Sequence, residues 1–139
     1  MGAGASIPEY KIDPITGKGS KDVFKYKQYS IFKDYRLGGG TFGNVYKGYD
    51  EEKHRHIAAK EILHASAEFS QTEVDVLRKL TDHDNIVKLY DTFMYNETRY
   101  IIMQLCDGLC LDKFLIKNNP AIDVRFQIIS QIIETLQFI

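Results

Sequence analysis

The sequence predicts an α+β chain: a five-stranded antiparallel sheet carrying one helix, followed by two further helices. Three observations point there. Short apolar segments separated by turn residues recur between Tyr35 and Gln104. The stretch between the third and fourth of them carries apolar residues at helical spacing, and beyond Asp107 the period is helical to the last residue. The strands are expected at 35–37, 44–49, 56–62, 86–93 and 99–104, with the last two joined by a hairpin loop at Met94-Tyr95-Asn96-Glu97. The first helix is expected at about 66–80, with Phe69, Val76, Leu77 and Leu80 on one stripe. A short helix near 111–116 follows. The last runs from about residue 120, with Pro120 at a first helical position and Asn119 as its cap.

Composition narrows the function. The chain has 139 residues, 44% apolar and 27% charged, the balance of a folded protein of one or two small domains. A formal charge of −1 gives no electrostatic support for a nucleic-acid partner. No run approaches the ~18 apolar residues of a membrane span, and no secretory core opens the chain, so a cytoplasmic setting is expected. Cys106 and Cys110 stand four apart without a His or Cys cluster beside them and read as free thiols, and no metal site is expected.

Residues 1–29 read as a flexible leader, rich in small residues and lysine without a sustained period. Its start, Met1-Gly2-Ala3-Gly4-Ala5-Ser6, fits the N-myristoylation pattern, and equally a plain Gly/Ala-rich start. An acylated Gly2 would give weak, reversible membrane contact, because one chain anchors marginally and the leader's lysines are partly offset by Glu9, Asp13 and Asp22.

Chemistry enters at Gly38-Gly39-Gly40-Thr41-Phe42-Gly43-Asn44-Val45, with glycines at G-x-G-x-x-G positions between two strands. A dinucleotide fingerprint would open a helix here and a Walker A loop would need Gly-Lys-Ser/Thr; neither occurs. A bare-backbone hairpin suits close approach of N–H groups to phosphate oxygens, although the same glycines also suit a tight turn. Lys60 follows fifteen residues after Val45. Strand alternation sets Ala58, Lys60 and Ile62 on one face, so a small side chain leaves room for a flat ring beside an ammonium that reaches phosphate, unless that lysine is merely solvated. Glu73 falls within the helix's apolar stripe. A buried carboxylate needs a cation, and Lys60 is the one at hand; alternatively Ser70-Gln71-Thr72-Glu73 is a capping box that starts a shorter helix.

Together these residues resemble the N-terminal lobe of the eukaryotic protein kinases. The Gly-rich loop matches Gly38, Gly40, Gly43 and Val45; the lysine strand matches Ile57, Ala58 and Lys60; the helix glutamate matches Glu73. The likeness continues through Asp84-Asn85-Ile86-Val87-Lys88-Leu89-Tyr90 and Tyr100-Ile101-Ile102-Met103-Gln104-Leu105-Cys106-Asp107-Gly108. It implies a partial kinase domain over 30–139: an N-lobe at 30–103, a hinge at 104–110 and the start of a C-lobe at 111–139. It further implies an ATP site of Leu37, Gly38, Gly39, Gly40, Thr41, Phe42, Gly43, Val45, Ala58 and Lys60, with Met103 as gatekeeper and the backbone of Gln104 and Cys106 at the adenine edge. Lys60 and Glu73 are the implied catalytic pair.

Several features depart from the family. No His-Arg-Asp segment with a downstream Asn and no Asp-Phe-Gly segment follows Ile139, so the Mg2+ ligands and the proton-accepting aspartate are absent from this sequence. Cys110 stands where an acid often contacts ribose, and Leu109 replaces a usual second glycine. Phe126, Ile128, Ile129, Ile132, Ile133, Leu136 and Ile139 would leave an apolar face uncovered, worth roughly 10 to 20 kcal/mol of burial at ~1.5–3 kcal/mol each. The resemblance implies a protein kinase, Ser/Thr-directed, that transfers the γ-phosphoryl of ATP to protein hydroxyls when its catalytic lobe is present. The implied partners are ATP, a protein substrate and that lobe. The alternative is a non-catalytic truncated kinase-like protein that binds nucleotide or a partner through its C-terminal helix.

Overall fold

The computed structural model describes residues 19–40, 43–63 and 67–139, side chains of Ala67 and Phe69 excepted. Gly2, Thr41 and Phe42 lie outside this set. The elements are β1 (Val23–Tyr26), β2 (Tyr29–Gly40), β3 (Gly43–Asp50), β4 (Arg55–Ile62), α1 (Ala67–Leu80), β5 (Leu89–Tyr95), β6 (Thr98–Gln104), α2 (Leu111–Asn118) and α3 (Ile122–Phe138). All strand pairs are antiparallel, in the order β1-β2-β3-β4-β6-β5.

The sheet has six strands where five were expected, and the extra one comes from the stretch read as leader. β1 and β2 form a two-residue hairpin, Tyr26 opposite Tyr29, with Lys27 at φ 52°. Its far end is tied by Asp34, which accepts from the Ser20 hydroxyl and from the Lys21 amide at 2.8 Å. β2 begins six residues before the expected strand, because Tyr29, Ser30, Ile31 and Phe32 are all buried.

Strand alternation divides the core in two. Away from α1, Tyr29, Ile31, Ile57, Ala59, Phe93, Tyr100 and Ile102 form the larger cluster, with Phe24, Tyr26, Tyr46 and Tyr90 packed against it. Phe24 stacks on Tyr100 at 5.2 Å between centroids and Tyr26 on Phe93 at 4.5 Å. β1 and β5 are the two edge strands, so contact between their rings means that the sheet curls until its edges meet. Irregularities in β2 between Ile31 and Arg36 and between Arg36 and Gly38 supply bends that aid this curl. Facing α1, the smaller cluster is Ile62, Val74 and Ile101, with Leu77, Leu89 and Met103 against it.

Three expectations shift. Val74, not Val76, is the valine of α1 that is buried: Val76 is 48% exposed, so among the described residues the inward stripe runs Ser70, Val74, Leu77. β5 starts at Leu89, not at residue 86, because the Leu89 amide donates to Thr81 Oγ1 at 2.8 Å and Lys88 Nζ to the Thr81 carbonyl at 2.8 Å, which holds this stretch to the end of α1. Asn119 caps the C-terminus of α2, in left-handed conformation at φ 39°, and α3 begins after Ala121. The expected hairpin loop is present, tightened to Asn96 and Glu97 at φ 45° and 62°. Neither α2 nor α3 has a buried residue. Among the described residues no helix is long and apolar enough to cross a membrane.

Candidate nucleotide site

The site is assembled on the α1 face of the sheet. Val45 lies opposite Lys60, Lys60 opposite Ile101, and Ala58 opposite Met103, so these side chains occupy adjacent rows of one surface. Ala58 is buried and Met103 half-buried. Lys60 Nζ donates to Glu73 Oε1 at 2.7 Å and Oε2 at 2.9 Å, a two-point grip between β4 and α1 with both side chains partly solvent-accessible. α1 starts at Ala67, so Ser70 is inside the helix and the capping-box reading of Ser70 to Glu73 does not describe its start.

The glycine hairpin stands beside this pair. Gly38 is opposite Val45, Gly39 opposite Asn44 and Gly40 opposite Gly43. Gly43 is required by its backbone: φ is 143°, and a Cβ there would collide with the Glu61 carbonyl. Gly38 and Gly40 are different. A Cβ at either meets nothing within 4 Å, so packing does not demand a bare backbone there. Arg36 braces the hairpin by donating from Nε to Asn44 Oδ1 at 2.9 Å. Leu37, next to Gly38, is exposed.

β6 runs out at Gln104, whose amide donates to the Lys88 carbonyl at 2.9 Å and whose side-chain oxygen accepts from the Lys88 amide at 3.2 Å. Cys106 lies beyond it in an exposed connection, and Cys110 immediately precedes α2; both are free thiols. Among the described residues no group of three or more His, Cys, Asp or Glu is placed to hold a metal ion. A cavity of about 270 Å³ lined by Leu111, Ile128, Ile132 and Leu136 belongs to α2 and α3, and its lining includes none of the glycines, Lys60 or Glu73.

The sequence reading missed two polar assemblies. On the far face of β4, Glu61 accepts from Lys33 Nζ and from the Tyr100 hydroxyl at 2.9 Å, while Lys33 lies over the Tyr46 ring at 4.6 Å. Burial first, then the hydrogen bond to Glu61 and its charge, push the Tyr100 hydroxyl well above its ordinary value of 10.0. Lys33 lay in a stretch without alternation, so nothing in the sequence pairs it with Glu61. The second assembly, around Arg99, carried no signal because a charged residue in a strand ordinarily faces solvent.

The protein kinase domain family matches residues 32–139. The protein named "Probable serine/threonine-protein kinase zyg-1" of Caenorhabditis briggsae is 32% identical over 105 residues, 75% of this chain and 15% of that protein. Calcium-dependent protein kinase 3 of Plasmodium yoelii yoelii is 34% identical over 108 residues, 74% of this chain and 20% of that one. Serine/threonine-protein kinase Nek5 of Mus musculus is 40% identical over 73 residues, 52% of this chain and 12% of that one. The chain thus spans a fifth or less of the length of these relatives. With the match running from β2 to the last residue, and with relatives at 32% and 34% identity across about three quarters of it, the chain belongs to the protein kinase family.

Proposed function

We propose that this chain is the nucleotide-gripping part of a Ser/Thr-directed protein kinase, which transfers the γ-phosphoryl group of ATP to protein hydroxyls together with a catalytic lobe. The observation that carries this reading is the two-point Lys60–Glu73 pair on the same sheet face as Val45, Ala58 and Met103. The described residues fit a nucleoside triphosphate. Glycine in a strand costs about 0.5–1 kcal/mol against alanine. Gly38 and Gly40 accept that cost where packing asks for nothing, which suits close approach of a phosphate group to a bare hairpin.

Lys60 is a compact point charge with three donors: two engage Glu73, and the remaining one is directed by that grip toward the α and β phosphates. Glu73 offsets the desolvation of the ammonium and fixes its rotamer, so little reorganisation is needed when phosphate arrives. Ala58 and Val45 leave a flat apolar slot for adenine, with Met103 at its back and the backbone of Gln104 and Cys106 at its edge. The family generally uses ATP with Mg2+, which supplies charge neutralisation between phosphates. The described residues do not fit a resident Mg2+ site.

Nucleotide-dependent thermal stabilisation tests this. The wild-type chain is expected to gain melting temperature with ATP, and Lys60→Met to weaken nucleotide affinity about 10- to 100-fold, the equivalent of one or two charged hydrogen bonds, with its sheet intact. Equal stabilisation of both chains would remove Lys60 from the site.

One observation favours a second reading, a non-catalytic role in partner binding: Phe126, Ile133 and Leu136 of α3 are 62%, 51% and 64% exposed. The reading frame after the codon for Ile139 separates the two. An in-frame His-Arg-Asp segment supports the enzyme, and a stop supports the binding protein.

A further inference from the structure

We propose that Arg99 is a positioning residue for the nucleotide-gripping pair: it pins the start of α1 to the sheet and thereby sets where Glu73 offers its carboxylate to Lys60. This rests on the reading of Lys60 and Glu73 given above. Arg99 lies opposite Ile62 in the β4–β6 register, and Ile62 is two residues from Lys60. Arg99 and Lys60 are therefore diagonal neighbours on adjacent strands, about 7–8 Å apart at the backbone, and share the sheet face beneath α1. Arg99 Nε donates to Ser70 Oγ at 2.9 Å and Nη2 to Gln71 Oε1 at 3.1 Å. From the same guanidinium, Nη1 donates to Thr92 Oγ1 at 3.3 Å, and that hydroxyl donates to the Tyr100 carbonyl at 3.0 Å. Three nitrogens of one rigid fork therefore join α1, β5 and β6.

Ser70 precedes Glu73 by three residues, so the two point the same way from the helix, about 4.5 Å apart along its axis. Ser70 is 2% exposed, and its oxygen meets the half-buried Arg99 guanidinium. Gln71 is oriented in turn by donating from Nε2 to Asp75 Oδ1 at 2.9 Å. Among the described residues, α1 is also held by Val74 and Leu77 against a small apolar cluster, and the turn after it by the Thr81 bonds from Lys88 and Leu89. Apolar packing tolerates sliding and rotation by fractions of an ångström; a two-point grip at 2.7 and 2.9 Å does not. The guanidinium supplies the directional restraint that apolar contacts lack.

The test is a fluorescent-ATP titration of the full chain as wild type, Arg99→Met, Arg99→Lys, Glu73→Gln and the double variant Arg99→Met/Glu73→Gln, with melting temperatures taken in parallel. Arg99→Met is expected to weaken nucleotide binding roughly threefold to thirtyfold, and Arg99→Lys to recover part of that loss. In the Glu73→Gln background the Arg99 change is expected to leave affinity where Glu73→Gln has already put it, while still lowering the melting temperature. An equal loss of affinity with and without Glu73, or a lower melting temperature at unchanged affinity, would make Arg99 a structural brace and overturn the proposal. Unchanged affinity in Glu73→Gln alone would overturn it through the pair itself, a result distinct from failure at Arg99. Should Arg99→Met not fold, Gln71→Ala removes only the exposed arm of the network, and the same dependence on Glu73 is required of its smaller effect.

Discussion

Neighbouring residues of β4 serve opposite faces of the sheet. Lys60 points to α1 and meets Glu73; Glu61 points away and meets Lys33 and Tyr100. Each face thus carries a paired charge, and β4 is held from both sides. The far pair is the more buried, and it yields a pH prediction. Raised in the folded protein above 10.0, the Tyr100 hydroxyl keeps its proton where an unfolded tyrosine has lost it. Its stabilising contribution is therefore fully present below about pH 10 and declines as pH rises through the alkaline range toward the folded value. Tyr29, raised by burial and by its hydrogen bond to Asp91, acts in the same direction. Denaturant midpoints followed from pH 9 upward are expected to fall more steeply in wild type than in Tyr100→Phe; identical slopes would show that the phenol does not differ between the two states.

At the scale of elements, the strand β1 distinguishes this sheet. Its side chains close the curl against β5 and β6: Phe24 stacks on Tyr100 and meets Tyr95 edge-on, and Tyr26 stacks on Phe93. A buried Phe→Ala change costs about 3–5 kcal/mol; half-buried Phe24 is expected to cost about 2 kcal/mol on truncation. Lys25→Ala, which removes an exposed ion pair to Glu51 at 3.2 Å, is expected to cost at most about 1 kcal/mol. Equal costs in a denaturant series would mean that β1 is not docked. This element was also the least legible in the sequence. Strands β4 and β6 announce themselves through short apolar runs, Ile57-Ala58-Ala59 and Tyr100-Ile101-Ile102-Met103, that match burial on both faces. Residues 20–34 offer only the brief alternation Phe24-Lys25-Tyr26-Lys27, set among further lysines and acids and too short to stand out from a leader. Asn119 was misassigned for a related reason: Asn suits a helix start through its side chain and a helix end through its tolerance of positive φ. On α1 the expected stripe runs through Val76, two residues past the buried Val74, yet Glu73 falls on the right side, since a carboxylate three or four positions from Ser70 and Leu77 shares their face.

For the molecule as a whole, a curled sheet, one helix laid across one face and two helices after residue 110 agree with the family match. The Lys60–Glu73 contact was legible because a carboxylate set in an apolar helix stripe needs a cation nearby. Arg99 and Lys33 were not, because their partners are set by register between distant strands. The account rests on Lys60 lying against the phosphates of a bound nucleotide. An ATP analogue with a reactive acyl group on its terminal phosphate, followed by peptide mapping of the acylated lysines, measures this directly. The account predicts acylation of Lys60, suppressed by excess ATP and lost in Glu73→Gln, with the remaining lysines marked weakly and without competition. Labelling spread evenly over the lysines, or a Lys60 left unmodified while another lysine is labelled and protected by ATP, would contradict it.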